Sequence, residues 1–196
     1  MMKIGLYGGT FDPPHRAHVE LAEWVLAELG LDYIYFIPAA VHAFKDNLQI
    51  TPEKIRLEML EAATTGHENL RISQVELNRH GISFTVDTLR EFLKFEDLPP
   101  AQLYYIIGLD NLVDFNRWKE PEMIMRLAKV IVVRRPGGAE KPLPEKYQNK
   151  MRFLNSPLIE ISSTDIRQLV RLGQPISELV YPEVSELIDR YALYRK

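Results

Sequence analysis

Two histidines three residues apart, just beyond a glycine pair, are the first side chains in this sequence whose types and spacing could do chemistry. They lie in Gly8-Gly9-Thr10-Phe11-Asp12-Pro13-Pro14-His15-Arg16-Ala17-His18. Glycines, lacking Cβ, let the backbone pass close to a bulky anion. A helix opening next would turn its free N–H groups and its positive dipole end toward the same point. His15 and His18 would share a face of that helix's first turn or its approach. Imidazoles there could neutralise charge on an α-phosphate during displacement. Two plainer readings stand beside this one. A glycine pair after a strand is commonly only a turn, and the two histidines with Asp12 could ligate zinc. Pro13 and Pro14 argue against the metal reading, because they hold Asp12 in extended backbone away from the helical face. Neither the phosphate-loop pattern G-x-x-x-x-G-K-[ST] nor the dinucleotide pattern G-x-G-x-x-G occurs.

A second candidate is Ile161-Ser162-Ser163-Thr164-Asp165-Ile166-Arg167. Ser162, Ser163 and Thr164 put hydroxyls and free N–H groups at a helix start, and Arg167 one turn on can reach phosphate oxygens with its fork of donors. Taken alone, the segment reads equally as an ordinary helix cap. Its pairing with Gly8–His18 favours anion binding at both.

These segments need elements to position them. Lys3–Tyr7 reads as a buried strand, and Ala17–Leu29 as a helix with Val19, Leu21, Ala22, Val25, Leu26 and Leu29 largely on one face and Gly30 closing it. Tyr33–Ile37 is expected as a strand. Thr51-Pro52-Glu53 reads as an N-cap with proline at the first helical position, opening a helix to about Thr65. Strands are expected at Leu70–Val75, Leu103–Ile107, Lys129–Val133 and Leu158–Ile161. Helices are expected at Thr85–Phe95, Asp110–Asn116, Glu122–Leu127, Ser163–Leu172 and Pro182–Tyr191. Ala139–Lys150 is polar, holds Pro142 and Pro144, and reads as a variable surface loop. The alternation implies one α/β domain over residues 1–196, a doubly wound, mainly parallel sheet with helices on both faces. Ligands of such sheets sit at the carboxyl ends of the strands, near the reversal of strand order. Gly8–His18, Gly108–Asp110 and Ile161–Arg167 all fall there.

Composition narrows the partners. The 24 basic residues against 27 acidic lack the surplus that a general nucleic-acid binder uses to release counterions. With no cysteine in the chain, disulfides, thiolate metal sites and a cysteine nucleophile are excluded. The start Met-Met-Lys-Ile-Gly-Leu-Tyr has no signal-peptide core, and no run approaches the roughly 20 apolar residues of a membrane span. The cytoplasm is the expected location, and no segment singles out an oligomer interface.

The first segment resembles the G-x-F-x-P-x-H-x-x-H signature of the HxGH nucleotidyltransferase superfamily, whose sheet is Rossmann-like. Within it the chain is most similar to the bacterial nicotinate-nucleotide adenylyltransferases. The similarity runs through Gly81-Ile82-Ser83-Phe84-Thr85, Ile106-Ile107-Gly108-Leu109-Asp110, Trp118, Arg134-Arg135-Pro136-Gly137 and Ile161–Arg167. The resemblance implies condensation of ATP with nicotinate mononucleotide to nicotinate adenine dinucleotide and pyrophosphate, a step of NAD biosynthesis. It implies that His15 and His18 contact the ATP phosphates with His18 at the α-phosphate, and that Gly8, Gly9, Thr10 and Phe11 hold the same region. Ser162, Ser163, Thr164 and Arg167 would grip the triphosphate, and Gly108 and Asp110 would lie against adenosine. Trp118 would face the pyridine ring, backbone around Phe84 and Thr85 its carboxylate, with Arg135 and Lys45 adding positive charge. Mg2+ is implied, bound chiefly through substrate phosphates, with no protein ligand. Trp118 and Thr85 also read as core packing and as a helix N-cap. The chain departs from the pattern at Ala17, where many relatives have glycine, and along Pro38-Ala39-Ala40-Val41-His42-Ala43-Phe44-Lys45, where Ala39 cannot replace an asparagine amide. Rival acceptors are nicotinamide mononucleotide and phosphopantetheine. A rival of another class is a non-catalytic nucleotide-binding protein.

Overall fold

Strands β1 (Met2–Gly9) and β4 (Ala101–Gly108) form the middle of the fold, and their interiors, Ile4–Tyr7 and Leu103–Ile107, are buried without a break. Unbroken burial is what a strand covered on both faces requires. The computed structural model describes residues 1–40, 50–79, 81–94, 101–112, 114–134, 145–157 and 161–195, without the side chains of Asp110, Glu145 and Gln148.

β1 pairs in parallel with β2 (Tyr33–Pro38) on one side and with β4 on the other. Outside β2 lies β3 (Leu70–Ile72), and beyond β4 lie β5 (Ala128–Arg134) and β6 (Arg152–Asn155), each pair again parallel. The sheet order β3-β2-β1-β4-β5-β6 reverses its direction of growth between β1 and β4. That reversal opens a crevice at the carboxyl ends of these two strands.

Alternate strand residues face opposite sides, and the two sides bury separate cores. Tyr7, Ile106 and Ile131 join α1 (Arg16–Leu29), α2 (Glu53–Thr64), α7 (Ser163–Arg171) and α8 (Pro182–Arg190). Leu6, Tyr105 and Val132 join α3 (Thr85–Phe92), α4 (Leu109–Leu112) and α5 (Pro121–Leu127). The expected α/β architecture with helices on both faces is what forms. In α1 the buried residues Val19, Ala22, Val25 and Leu29 recur at helical spacing. Gly30 then takes φ 58°, and Leu31 N–H returns to Leu26 O at 2.9 Å, a left-handed close suited to glycine.

Three local expectations need correcting. The sixth strand is Arg152–Asn155, four residues of which Leu154 is buried and Phe153 half-buried, too short an apolar run to mark it. Of the strand expected at Leu158–Ile161, residues 158–160 lie outside the described residues. Within the polar stretch 139–150, Glu145–Gln148 forms the one-turn helix α6, anchored by buried Tyr147 edge-on to Phe115 at 5.2 Å. Residues 139–144 lie outside the described residues. Finally, Pro52 rather than Thr51 stands at the N-cap of α2. Among the described residues, no helix is long and apolar enough to cross a membrane.

Candidate functional site

The chain leaves β1 through Gly8 and Gly9, where neighbouring aromatic side chains crowd the space a side chain would take. A Cβ on Gly9 would come within 2.8 Å of Phe11 Cζ, and one on Gly8 within 3.2 Å of the Tyr105 hydroxyl. Phe11 turns under the loop at φ 50°, an uncommon conformation for a non-glycine residue. Its buried ring packs edge-on to Tyr7, Phe36 and His18. Phe11 is thus a pedestal below the loop, and its side chain belongs to the core.

His15 is the N-cap of α1 and His18 its third residue. The His15 backbone N–H donates to His18 Nδ1 at 3.2 Å, and the two rings stack at 3.6 Å with 23° between their planes. This is a capping box built from imidazole, where glutamate or glutamine usually serves. Because Nδ1 accepts, the neutral ring carries its proton on Nε2. His18 is therefore held as a donor on the ring edge away from the cap. His15 is almost wholly buried and supports that ring from one side.

The second expected segment arrives at the same place. Ser163 Oγ donates to Pro13 O at 2.9 Å, and Arg167 Nη1 donates to Asp12 O at 2.7 Å. Both readings of Ser162–Thr164 are visible. Ser162 Oγ caps α7 by accepting Asp165 N–H at 3.1 Å and donates to Asp165 Oδ2. Thr164 is exposed and takes Arg167 Nη2 at 3.2 Å. Arg167 thus spends part of its fork on holding α7 against the 12–13 turn. Gly108 ends β4 with open space where a side chain would stand, as a surface for a flat ligand group requires. The Asp110 side chain, Lys45 and Arg135 lie outside the described residues.

On the opposite face of the sheet, Phe84, Thr85 and Trp118 form a second cluster. Phe84 is the N-cap of α3, so Thr85 takes the first helical position and not the cap. Thr85 Oγ1 lies 3.2 Å from the Tyr105 hydroxyl, and Trp118 packs against Tyr105 and Phe115. Arg90 grips both carboxylate oxygens of Glu120 at 3.1 and 2.7 Å, and Lys119 reaches Asp87 at 2.8 Å. These exposed pairs fix the Trp118 segment along α3. Tyr105 lies under Gly8 as well as beside Thr85 and Trp118, and so joins the two clusters. Burial pushes its phenol well above the ordinary tyrosine range, which keeps it a neutral donor.

Sequence reasoning passed over three groups. Tyr105 is one. Arg56, 1% exposed, is another: its Nε donates to Thr51 O at 2.9 Å, Nη1 to Thr10 O at 2.7 Å and Nη2 to Ala39 O at 2.8 Å. One guanidinium thus ties the loops leaving β1 and β2 to the start of α2. The third is Glu76, behind α3, which accepts from Thr88 Oγ1 at 2.8 Å. Arg79 meanwhile binds Thr88 Oγ1 and Glu91.

Burial raises the Glu76 carboxyl above its ordinary value, with Thr88 and Arg79 pulling partly back. A carboxyl raised in the folded state stabilises fully below its unfolded value of 4.5. That contribution is lost as pH rises through the folded value. Glu76→Gln keeps an acceptor for Thr88 and removes the titration. Its stability relative to the parent is expected to improve as pH rises above 4.5 and to level off once the folded carboxyl has ionised, read by urea melts across a pH series. A difference independent of pH would show that Glu76 carries no such penalty.

Among the described residues, no group of three or more His, Cys, Asp or Glu side chains could hold a metal ion. Asp12, next to the loop, is committed to Thr51 N–H and to the Tyr194 hydroxyl.

Set beside known proteins, residues 6–169 match the model of the cytidylyltransferase-like family. A probable nicotinate-nucleotide adenylyltransferase of Clostridium tetani is 36% identical, with 100% of both chains covered. Another, of Salinibacter ruber, is 37% identical over 99% of this chain and 98% of its own. The structure of Plasmodium falciparum nicotinic acid mononucleotide adenylyltransferase complexed with NaAD superposes with a TM-score of 0.80. It is 20% identical, over 99% of this chain and 98% of that one, and the likeness is one of fold.

Proposed function

The chain belongs to the cytidylyltransferase-like family, among the nicotinate-nucleotide adenylyltransferases, and from that premise we propose that it condenses ATP with nicotinate mononucleotide. The products are nicotinate adenine dinucleotide and pyrophosphate, and the step belongs to NAD biosynthesis. The observation that carries this reading is the His15–His18 pair at the N-terminus of α1, with the proton of His18 held on Nε2.

An oxygen of the mononucleotide's 5′-phosphate attacks the α-phosphorus of ATP. A new P–O bond forms there while the bond to the bridging α–β oxygen breaks, and pyrophosphate departs. The attacking oxygen is already anionic, so no general base is required. The protein supplies position and charge neutralisation, the main burden in phosphoryl chemistry. His18 Nε2–H donates to the α-phosphate oxygens, where negative charge concentrates. Gly8, Gly9 and Thr10 offer close backbone approach. The N-terminus of α7, with Thr164 and the remaining N–H groups of Arg167, faces the β- and γ-phosphates. Gly108 leaves room for adenosine, and Asp110 is assigned to the same subsite.

For the acceptor, Trp118 stands for the pyridine ring. The N-terminus of α3 at Phe84 and Thr85 brings open N–H groups and a positive dipole end to the ring's carboxylate. Lys45 and Arg135 are assigned to the mononucleotide phosphate and carboxylate from outside the described residues. We assign Mg2+ to the triphosphate, bound chiefly through the substrate phosphates, as this ion commonly is. Bound there, it would neutralise phosphate charge. We place the reaction in the cytoplasm, with small molecules and no nucleic acid as partners.

Carboxylate and amide acceptors differ by a few hydrogen bonds of about 1–3 kcal/mol each, so the acceptor is settled by turnover. Pyrophosphate release is measured with ATP, Mg2+ and, separately, nicotinate mononucleotide, nicotinamide mononucleotide and phosphopantetheine. The largest kcat/KM is expected with the nicotinate compound. A preference for the amide would overturn the acceptor assignment and leave the mechanism standing. No release with any acceptor would overturn the enzyme itself in favour of a nucleotide-binding protein.

A further inference from the structure

Near its C-terminus the chain adopts a costly backbone conformation, which packs Leu193 and Tyr194 against the core on the α1 side of the sheet. After α8, Ala192 adopts φ 49° and Tyr194 φ 61°, two non-glycine residues in the left-handed region within three positions. Such conformations persist where the surroundings over-determine them, and they concentrate at functional sites. The turn is closed by Ala192 N–H to Asp189 O at 3.1 Å and Leu193 N–H to Ile188 O at 2.9 Å. Tyr191, just before it, donates to Glu58 Oε2 on α2 at 2.8 Å. The result of this folding back is that the Tyr194 hydroxyl donates to Asp12 Oδ1 at 2.5 Å, across 182 residues of sequence.

Asp12 is where that bond has leverage. Its Oδ2 accepts Thr51 N–H at 3.1 Å and its backbone oxygen accepts Arg167 Nη1 at 2.7 Å. Its carboxylate is buried and takes a protein donor on each oxygen. The residue before it in the loop, Phe11, lies under His18, and Thr10 O is held by Arg56. Whatever orients Asp12 therefore orients the stretch that carries the loop's N–H groups and the approach to His15.

We infer that Tyr194 is a positioning residue for the ATP-phosphate loop, acting through Asp12 as a latch that the C-terminal segment closes on the 10–13 turn. Burial, then the neighbouring Asp12 charge, pushes the phenol far above the ordinary tyrosine range, so the latch donates throughout the working pH range. Thr51 Oγ1, 3.4 Å from the same hydroxyl, adds a weak second contact. The inference rests on the adenylyl-transfer reading for its kinetic consequence, but not for its effect on ATP binding.

The test is Tyr194→Phe in the full chain, which keeps the ring and deletes the hydroxyl. Calorimetric titration with ATP, without acceptor, is expected to show affinity about tenfold weaker, the scale of one hydrogen bond to a charged group. The KM for ATP is expected to rise in parallel, with the KM for nicotinate mononucleotide unchanged. Asp12→Asn combined with Tyr194→Phe is expected to be no worse than Asp12→Asn alone, since both act on one contact. Asp12→Asn alone, which weakens the same contact from the acceptor side, is expected to lower ATP affinity in the same direction, and it carries the test if the phenylalanine variant does not fold. Unchanged ATP affinity and KM in a folded Tyr194→Phe chain, whatever its melting temperature, would overturn the latch. Equal losses on both substrates would do the same. If the parent releases no pyrophosphate with any acceptor, the adenylyl-transfer reading fails, and the titration still decides the latch.

Discussion

Replacing His18 with alanine is expected to cut kcat by roughly two to three orders of magnitude, the scale of removing one preorganised donor from a developing charge. The size follows from where the donor stands. Its Nδ1 is occupied by the His15 backbone N–H, so its ring cannot rotate without breaking that bond. Stacking on buried His15 at 3.6 Å fixes the ring plane as well. A donor held this way needs no reorganisation as charge moves onto the α-phosphate. Alanine removes a second thing too, the reciprocal half of the capping box, at a cost of about 1 kcal/mol in stability. His18→Gln separates the two effects, because glutamine at the third helical position is an ordinary capping-box partner. It is expected to melt near the parent temperature while kcat remains depressed. Single-turnover measurements with saturating ATP and nicotinate mononucleotide would check both variants. A loss under tenfold for His18→Ala would place the charge stabilisation on the helix termini alone.

The two segments that meet at that candidate site were legible in the sequence, for identifiable reasons. β1 and β4 are unbroken apolar runs. The glycines and histidines that follow β1 each have plainer uses, as has the helix start at Ser162–Arg167, and it was their pairing that pointed to an anion site. What escaped was the layer beneath. Arg56 falls on the same face of α2 as Met59, Leu60 and Ala63, all buried. A charge at i of an apolar i, i+3, i+4, i+7 stripe was the available signal, and it reads as a surface cation until its neighbours are known. Tyr194 had no local signal, since its left-handed backbone carries no glycine and its partner is 182 residues away. β6 was missed because it is a four-residue edge strand, with only Phe153 and Leu154 between exposed polar ends to mark it. Tyr105 reads as one more apolar strand residue, and only the register that sets β4 beside β1 brings its hydroxyl under Gly8.

Arg56→Met should be the most destabilising single change at the site, costing about 3–5 kcal/mol, as expected when one member of a buried charged network is removed. Methionine matches the stem and packs among Met59 and Leu60, so the loss is not one of volume. It lies in the three carbonyls of Thr51, Thr10 and Ala39, each left without the donor it has now. It lies also in Asp12, whose negative charge now stabilises the guanidinium against the downward pull of burial. For a chain of this length the cost corresponds to a fall in Tm of roughly 6–20 °C. Arg56→Lys tests the fork itself. An ammonium keeps the charge, but as a single compact centre it cannot meet three carbonyls on three segments at once, so an intermediate loss is expected. Adding Asp12→Asn to Arg56→Met should recover part of the stability, because the buried carboxylate no longer lacks a countercharge. Guanidinium melts of the four chains decide the matter. A methionine variant within about 1 kcal/mol of the parent, inside the range of ordinary surface changes, would mean that water reaches these carbonyls. The loop over the phosphates would then be held from Asp12 and α7 rather than from beneath.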